Sequence, residues 1–256
     1  MQSVVARRPL STNAIRWWTI AALIVLWEVA ARLFGDPAFV APPSVVLLTL
    51  PQLFGDPKVA TALAIAGAEM IVAFVLAVVV GAVVGVAIGI TTLGRRSFFP
   101  FILLMWGLPQ VVVLPLVILM FGLGPVSRVA FGFTHGILPV IVTTVTGMRS
   151  VSPLLLSSAR SMGATQAQIL RHIIFPTMVA TVFTGLRLAM SLTLLGVVLA
   201  ELFVSSNGIG NYTQIFAETF KPGKLYGLIL VLAITAVALN EIVGLVESRF
   251  SRWKQG

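Results

Sequence analysis

Long apolar stretches, separated by short breaks that carry arginine, proline and glycine, run through almost the whole chain. A membrane-spanning helix needs about 20 mostly apolar residues. Six stretches meet that length: roughly Trp17–Leu33, Glu69–Leu93, Phe98–Phe121, Val129–Met148, Pro176–Phe203 and Leu225–Val246. The pattern predicts an all-α integral membrane chain with six transmembrane helices. The breaks then divide it into an N-terminal arm (1–16), a first helix with its outer loop (17–60), a core (61–247) with a long internal loop (149–176), and a C-terminal tail (248–256).

The basic residues give the orientation, because cytoplasmic loops are enriched in Lys and Arg. With the N-terminus inside, Arg7, Arg8, Arg16, Arg95, Arg96, Arg149, Arg160, Arg171, Arg249, Arg252 and Lys254 are cytoplasmic. Arg32, Lys58, Arg128, Lys221 and Lys224 are left outside, and Arg187 falls within a span. Eleven against five, from spans drawn on hydropathy alone, supports six crossings with both termini in the cytoplasm. The first span also carries a basic lead and a small-residue stretch, Val29-Ala30-Ala31, as a cleaved leader would. Glu28 and Arg32, an i,i+4 pair of favourable orientation, argue instead for a retained helix.

Composition narrows the class. Of 256 residues, 58% are hydrophobic and 10% charged, against about 25% charged in a soluble domain. Such a chain must be solvated by lipid, so a soluble enzyme and a nucleic-acid binder are excluded, and the net charge of +9 reports loop orientation. With no cysteine, and only His135 and His172, there is no basis for disulfides, thiolate metal sites or a histidine cage.

Within the spans, Ala77, Gly81, Gly85 and Gly89 recur every fourth residue and make a smooth ridge for close helix approach, within the chain or between subunits. Gly107, Pro109 and Pro115 interrupt the third span, as in a kinked scaffold helix or a segment lining an aqueous route. Arg187, about 16 Å along the fifth span if that span starts at Pro176, is expected near mid-bilayer. There it either faces a route, on one helix face with Glu201, or pairs with Glu69 or Glu241. The outer segment with Asn207-Gly208-Ile209-Gly210-Asn211 as its turn is a candidate outer gate.

The internal loop has its own grammar. Ser152-Pro153 reads as an N-cap followed by proline at the first helical position. Leu154, Leu155, Leu156, Ala159 and Met162 form a short apolar stripe, and Gly163 is placed for a left-handed cap. Thr165 and Gln168 form a capping box that starts a second helix running through Arg171 towards the membrane. A short amphipathic helix in the cytoplasm fits a groove on another protein or the surface of anionic lipid.

Ser157-Ser158-Ala159-x-x-x-Gly163, then nine residues and Ile173-Ile174-Phe175-Pro176, resembles the E-A-A-x-x-x-G-x(9)-I-x-L-P loop of ABC importer permeases, with Ser157, Ser158 and Phe175 departing from it. Leu108-Pro109, Leu114-Pro115-Leu116, Phe121-Gly122-Leu123-Gly124, Gly185-Leu186-Arg187, Ala200-Glu201 and Gly208-Ile209-Gly210 are similar to the nitrate/sulfonate/taurine-type subfamily. The resemblance runs from about residue 60 to the C-terminus. It implies a type I importer permease whose loop, with Ser157, Ser158, Ala159, Arg160, Met162, Gly163, Ala164, Ile173 and Pro176, docks on a cytoplasmic ATPase. It implies two permeases, two ATPase subunits holding ATP and Mg, a periplasmic binding protein, and location in the bacterial inner membrane. Pro109, Pro115, Arg187, Glu201, Gly208 and Gly210 are then the candidate route and gate residues. No G-x-x-x-x-G-K-[ST] phosphate loop is present, since Gly223-Lys224 is followed by Leu225, so ATP energy has to arrive from another polypeptide. The expectation is alternating access for a small, anionic solute, by a subunit that is not itself an enzyme. An ion-gradient-driven transporter is the competing reading, and would call for inverted repeats and midplane acids.

Overall fold

The computed structural model describes residues 12–204 and 208–251. They form α1 (Thr12–Phe34), α2 (Pro43–Phe54), α3 (Pro57–Ile90), α4 (Thr92–Ser97), α5 (Phe99–Gly107), a 3-10 turn (Gln110–Val113) and α6 (Leu114–Phe121). After these come α7 (Pro125–Arg149), α8 (Pro153–Ser161), α9 (Gln166–Ile169), a π segment (Leu170–Ile174), α10 (Phe175–Val204), α11 (Ile209–Glu218) and α12 (Pro222–Ser251). There is no strand among the described residues.

α7 is the axis of the bundle, and glycine is what lets two helices close on it. A Cβ added at Gly81 would lie 2.9 Å from the Val140 side chain, and one at Gly85 would lie 2.7 Å from Thr144; Gly89 faces Met148 in the same way. The every-fourth-residue ridge is thus an intra-chain contact between α3 and α7. On the opposite side, Gly132 and Gly136 of α7 receive Val197 and Thr193 of α10, and Gly147 receives Met178. Small residues bring backbones close enough for dispersion contacts to hold helices together where lipid supplies no hydrophobic drive.

The register of these contacts settles the number of crossings. Moving four residues along α3 moves four residues forward along α7, so the two run parallel, whereas α7 and α10 run antiparallel. Chain leaving the cytoplasmic end of α3 must therefore return across the membrane before α7 begins. The only segment available is 92–121, which passes as two arms, Thr92–Gly107 and Gln110–Phe121, bent by 94°. Five helices are long and apolar enough to cross alone, and the bent pair makes the sixth.

Both prolines of that span have distinct places. Pro109 sits at the break itself, immediately after α5. Pro115 lies in the first turn of α6, where a missing N–H has no partner to lose. The ladder is thus broken once, not twice as the sequence implied.

Other boundaries also differ from hydropathy. α3 starts at Pro57, with Asp56 as its N-cap accepting from the Lys58 amide at 2.9 Å, twelve residues before Glu69. The outer loop after α1 contains α2, which lies against α12 with Thr49 donating to the Gly223 carbonyl at 2.9 Å. The fifth span does not start at Pro176: helix runs from Gln166 to Val204, with the π turn at Leu170–Ile174 just ahead of the proline. A proline ring collides with the carbonyl four residues back, and one widened turn relieves that collision without ending the helix.

Outside the three-helix core, Leu53, Val59, Ala62, Ala66, Ile209, Phe216 and Leu228 make a second apolar cluster, which joins α2, α11 and α12 to the outer third of α3. α1 is nearly all lipid-facing. Its Glu28–Arg32 pair, 2.6 Å apart, grips the start of α2: Glu28 accepts from the Ser44 amide at 2.9 Å, and Arg32 donates to the Ser44 hydroxyl at 3.0 Å.

Gly85→Val is expected to destabilise the purified chain by roughly 1–3 kcal/mol, because Thr144 has nowhere to go. Gly67→Ala, where an added Cβ meets nothing within 4 Å, is expected to leave the melting temperature in detergent unchanged or slightly raised. Thermal unfolding followed by tryptophan fluorescence measures both.

Candidate functional site

Two places concentrate chemistry: the cytoplasmic loop and the outer end of the core.

In the loop, α8 ends as its sequence dictates. Gly163 adopts φ +81°, and Ala164 N–H returns to the Ala159 carbonyl at 3.0 Å, closing a left-handed cap. Thr165 and Gln168 complete their capping box, with the Thr165 amide donating to Gln168 Oε1 at 2.8 Å. α9, the π turn and α10 then continue as one helix, so α8 is held at a fixed angle to a span. Only Ala159 of α8 is buried. Ser157, Ser158, Arg160, Met162, Gly163 and Pro176 are exposed, while Ala164 and Ile173 are half-buried. Leu154 is 76% exposed and Met162 81%, an apolar surface at the basic, cytoplasmic end of the protein.

At the outer end, Arg128 is buried, although its sequence position had assigned it to an exterior loop. Its Nη2 lies 2.9 Å from Glu69 Oε1 on α3 and its Nη1 lies 3.7 Å from Glu201 Oε1 on α10. All three side chains are less than a tenth exposed. Glu201 Oε2 accepts the backbone N–H of Gly210 at 2.9 Å, in the first turn of α11. Gly208-Ile209-Gly210-Asn211 is therefore the start of a helix and not a turn; Asn207 lies outside the described residues. Glu69 looked like the end of a span only because the alanine-rich stretch 57–68 was left out of the helix. Two acids and an arginine, each at the edge of an apolar run, were the available signal for the cluster.

Arg187 has a different partner from those expected. It pairs with Glu247 of α12, not with Glu69 or Glu241, and is nearly half exposed. Glu247 lies 25 residues into α12, about 38 Å from its outer end at 1.5 Å per residue. That places the pair at the cytoplasmic boundary and not at mid-bilayer. Further outward, Asn240 donates to Ser191 at 2.8 Å, so α10 and α12 are joined by a short polar seam.

The binding-protein-dependent transport system inner membrane component family matches residues 77–255. The chain belongs to this family. The permease is 29% identical to the taurine transport system permease protein TauC of Escherichia coli K12, over 98% of each chain. It is 32% identical to the riboflavin transport system permease protein RibX of Chloroflexus aurantiacus, over 92% of this chain and 88% of that one. It is 26% identical to the putative aliphatic sulfonates transport permease SsuC of Bacillus subtilis, over 91% and 85%. Its fold is similar to a chain of the MetNI methionine ABC transporter in an inward-facing form, with a TM-score of 0.67 and 15% identity, covering 76% of the permease and 97% of that chain. The permease is thus an ABC transporter membrane subunit with the type I importer fold, and a separate subunit hydrolyses the ATP.

Arg128→Met would strand two buried carboxylates, and breaking a buried ion cluster in this way costs roughly 3–5 kcal/mol. The expected outcome is a sharp fall in the monodisperse fraction on size-exclusion chromatography. Replacing all three groups together (Glu69→Gln, Arg128→Met, Glu201→Gln) should recover most of it.

Proposed function

We propose that this permease moves a small organic solute bearing a sulfonate group, of the taurine or alkanesulfonate kind, into the bacterial cytoplasm across the inner membrane. It does so as a homodimer, with two ATPase subunits that hold ATP and Mg, and a periplasmic binding protein that delivers the solute. The names of the taurine and sulfonate relatives support that substrate class, and the basic balance of the chain is compatible with it.

The observation that carries the mechanism is the exposed apolar helix α8, fixed in angle by the Gly163 cap and continuous through α9 with a membrane span. Leu154, Leu155 and Met162 are the side chains that enter a groove on the ATPase, with Ser157, Ser158 and Arg160 at its rim. Ser157 removes the negative charge that the family loop commonly has there, so apolar docking carries the contact. When the ATPase subunits close on ATP, the two α8 helices move together. Because α8 cannot swivel about its cap, α10 moves with it, and α7 follows through its glycine contacts. The bend at Pro109 and the arm that carries Pro115 flank the route, and the Arg187–Glu247 pair anchors α12 to the moving α10.

Leu154→Asp combined with Met162→Asp should leave the permease folded, since both side chains are exposed, yet abolish co-purification of the ATPase. Normal co-purification would remove α8 from the docking role. Uptake of labelled taurine into proteoliposomes holding the complete complex and its binding protein tests the substrate class; uptake that labelled taurine and simple alkanesulfonates both fail to show would overturn it.

A further inference from the structure

α11 is held at its two ends by opposite kinds of contact. Its first turn needs partners for amide groups that no residue within the helix can satisfy. Gly208, at the N-cap position, brings no side chain to that task. Glu201 supplies the acceptor instead, reaching from α10 to the Gly210 amide. The Glu201 carboxyl is fully buried beside Arg128, and a helix N-terminus offers about half a positive charge at the point where its oxygen meets α11. The contact is intimate as well as charged: a Cβ at Gly210 would lie 2.7 Å from both Glu201 Cβ and the Leu202 amide nitrogen.

The other end of α11 is strained. Phe220, just beyond it, takes φ +51°, a left-handed conformation that a bulky residue adopts only under strain. Its ring stands edge-on to Phe39, with centroids 5.5 Å apart. Between these ends α11 buries only Ile209, Gly210 and Phe216. A short helix with a small apolar footprint, a strained exit and a charge-held entry has the makings of two discrete positions.

We propose that α11 is a hinged outer closure of the import route and that Glu201 is the latch that holds it down on α10. Releasing α11 separates the helix terminus from Glu201 and relaxes Phe220, while Arg128 and Glu69 keep the core helices together. The chemistry of a latch follows from that contact: lifting α11 takes the acceptor away from its first turn and the amide away from Glu201 together, so the lifted position is sparsely populated until the bundle rearranges. Only the word import depends on the function proposed above; the latch itself rests on α10, α11 and the cluster.

The chain has no cysteine, so a spin-label pair can be introduced at Ala64 on exposed α3 and Gln214 on exposed α11 in the full-length permease in lipid nanodiscs. The unsubstituted latch is expected to give one narrow distance population. Glu201→Gln keeps an acceptor but removes the charge, and leaves Arg128 balanced by Glu69 alone, so it should fold and add a second, longer population. Gly210→Ala, which wedges α11 off α10 without touching any charge, should do the same. An unchanged distance distribution in both variants would overturn the latch. In the complete transporter, both variants should raise the ATP hydrolysed per solute imported several-fold, whereas a merely structural defect would lower hydrolysis and uptake together and leave that ratio unchanged. If the ATPase is not retained by the unsubstituted permease, the import reading fails, and the distances still decide the latch.

Discussion

The fold depends on backbone-close contact around α7. Gly81, Gly85 and Gly89 on one neighbour, and Gly132, Gly136 and Gly147 on α7 itself, reduce the separation between helices to that of side chain against main chain. In lipid an apolar surface gains little by being hidden from an apolar solvent, so association must come from dispersion at close range and from polar groups that find partners. The three-helix unit α3–α7–α10 has both. It is therefore the part of the molecule able to move as one piece, and every other helix is placed by how it attaches to that piece.

Apolar clusters attach the other helices, and polar contacts towards the membrane boundaries pin the assembly. The Arg128 cluster and the Glu28–Arg32–Ser44 grip are on the outer side, and Arg187–Glu247 is at the inner side. Glu28 and Glu201 share a device: each is a carboxylate on a spanning helix that caps the first turn of a short outer helix, α2 or α11, whose own sequence offers no capping side chain there. An acid at a helix N-terminus satisfies orphan amides and meets the dipole at once. Placing the acid on a different helix turns a local cap into a tertiary joint.

Much of this was legible in the sequence because the rules involved are local. The Gly163 cap, the Thr165–Gln168 box and the small-residue ridge each follow from a few neighbouring residues, and each is present. Hydropathy found the spans but not their ends. The alanine-rich start of α3 follows its Asp56 cap, and the stretch ahead of Pro176, begun by its capping box, runs unbroken into the span because a proline that looks like a helix start can be absorbed by a π turn. Charge pairing was the least legible. Arg128 and Glu69 are far apart in sequence, and Arg187 has three acids within plausible reach, so only the crossing of helices distinguishes Glu247 from Glu69 and Glu241. Gly208 and Gly210 read in sequence as part of a turn, whereas Gly210 omits a side chain where α11 rests on α10.

The slender tie between α1 and the rest has a mechanical corollary. Among the described residues α1 is tied by the polar clamp at Ser44 and the ring contact of Trp27 with Tyr226, and most of its length is exposed. A rod pinned near one end and otherwise wetted by acyl chains can change its tilt to match bilayer thickness, at a fraction of a kcal/mol per Å. The slender tie lets α1 take up a mismatch that the glycine-packed bundle beside it does not share.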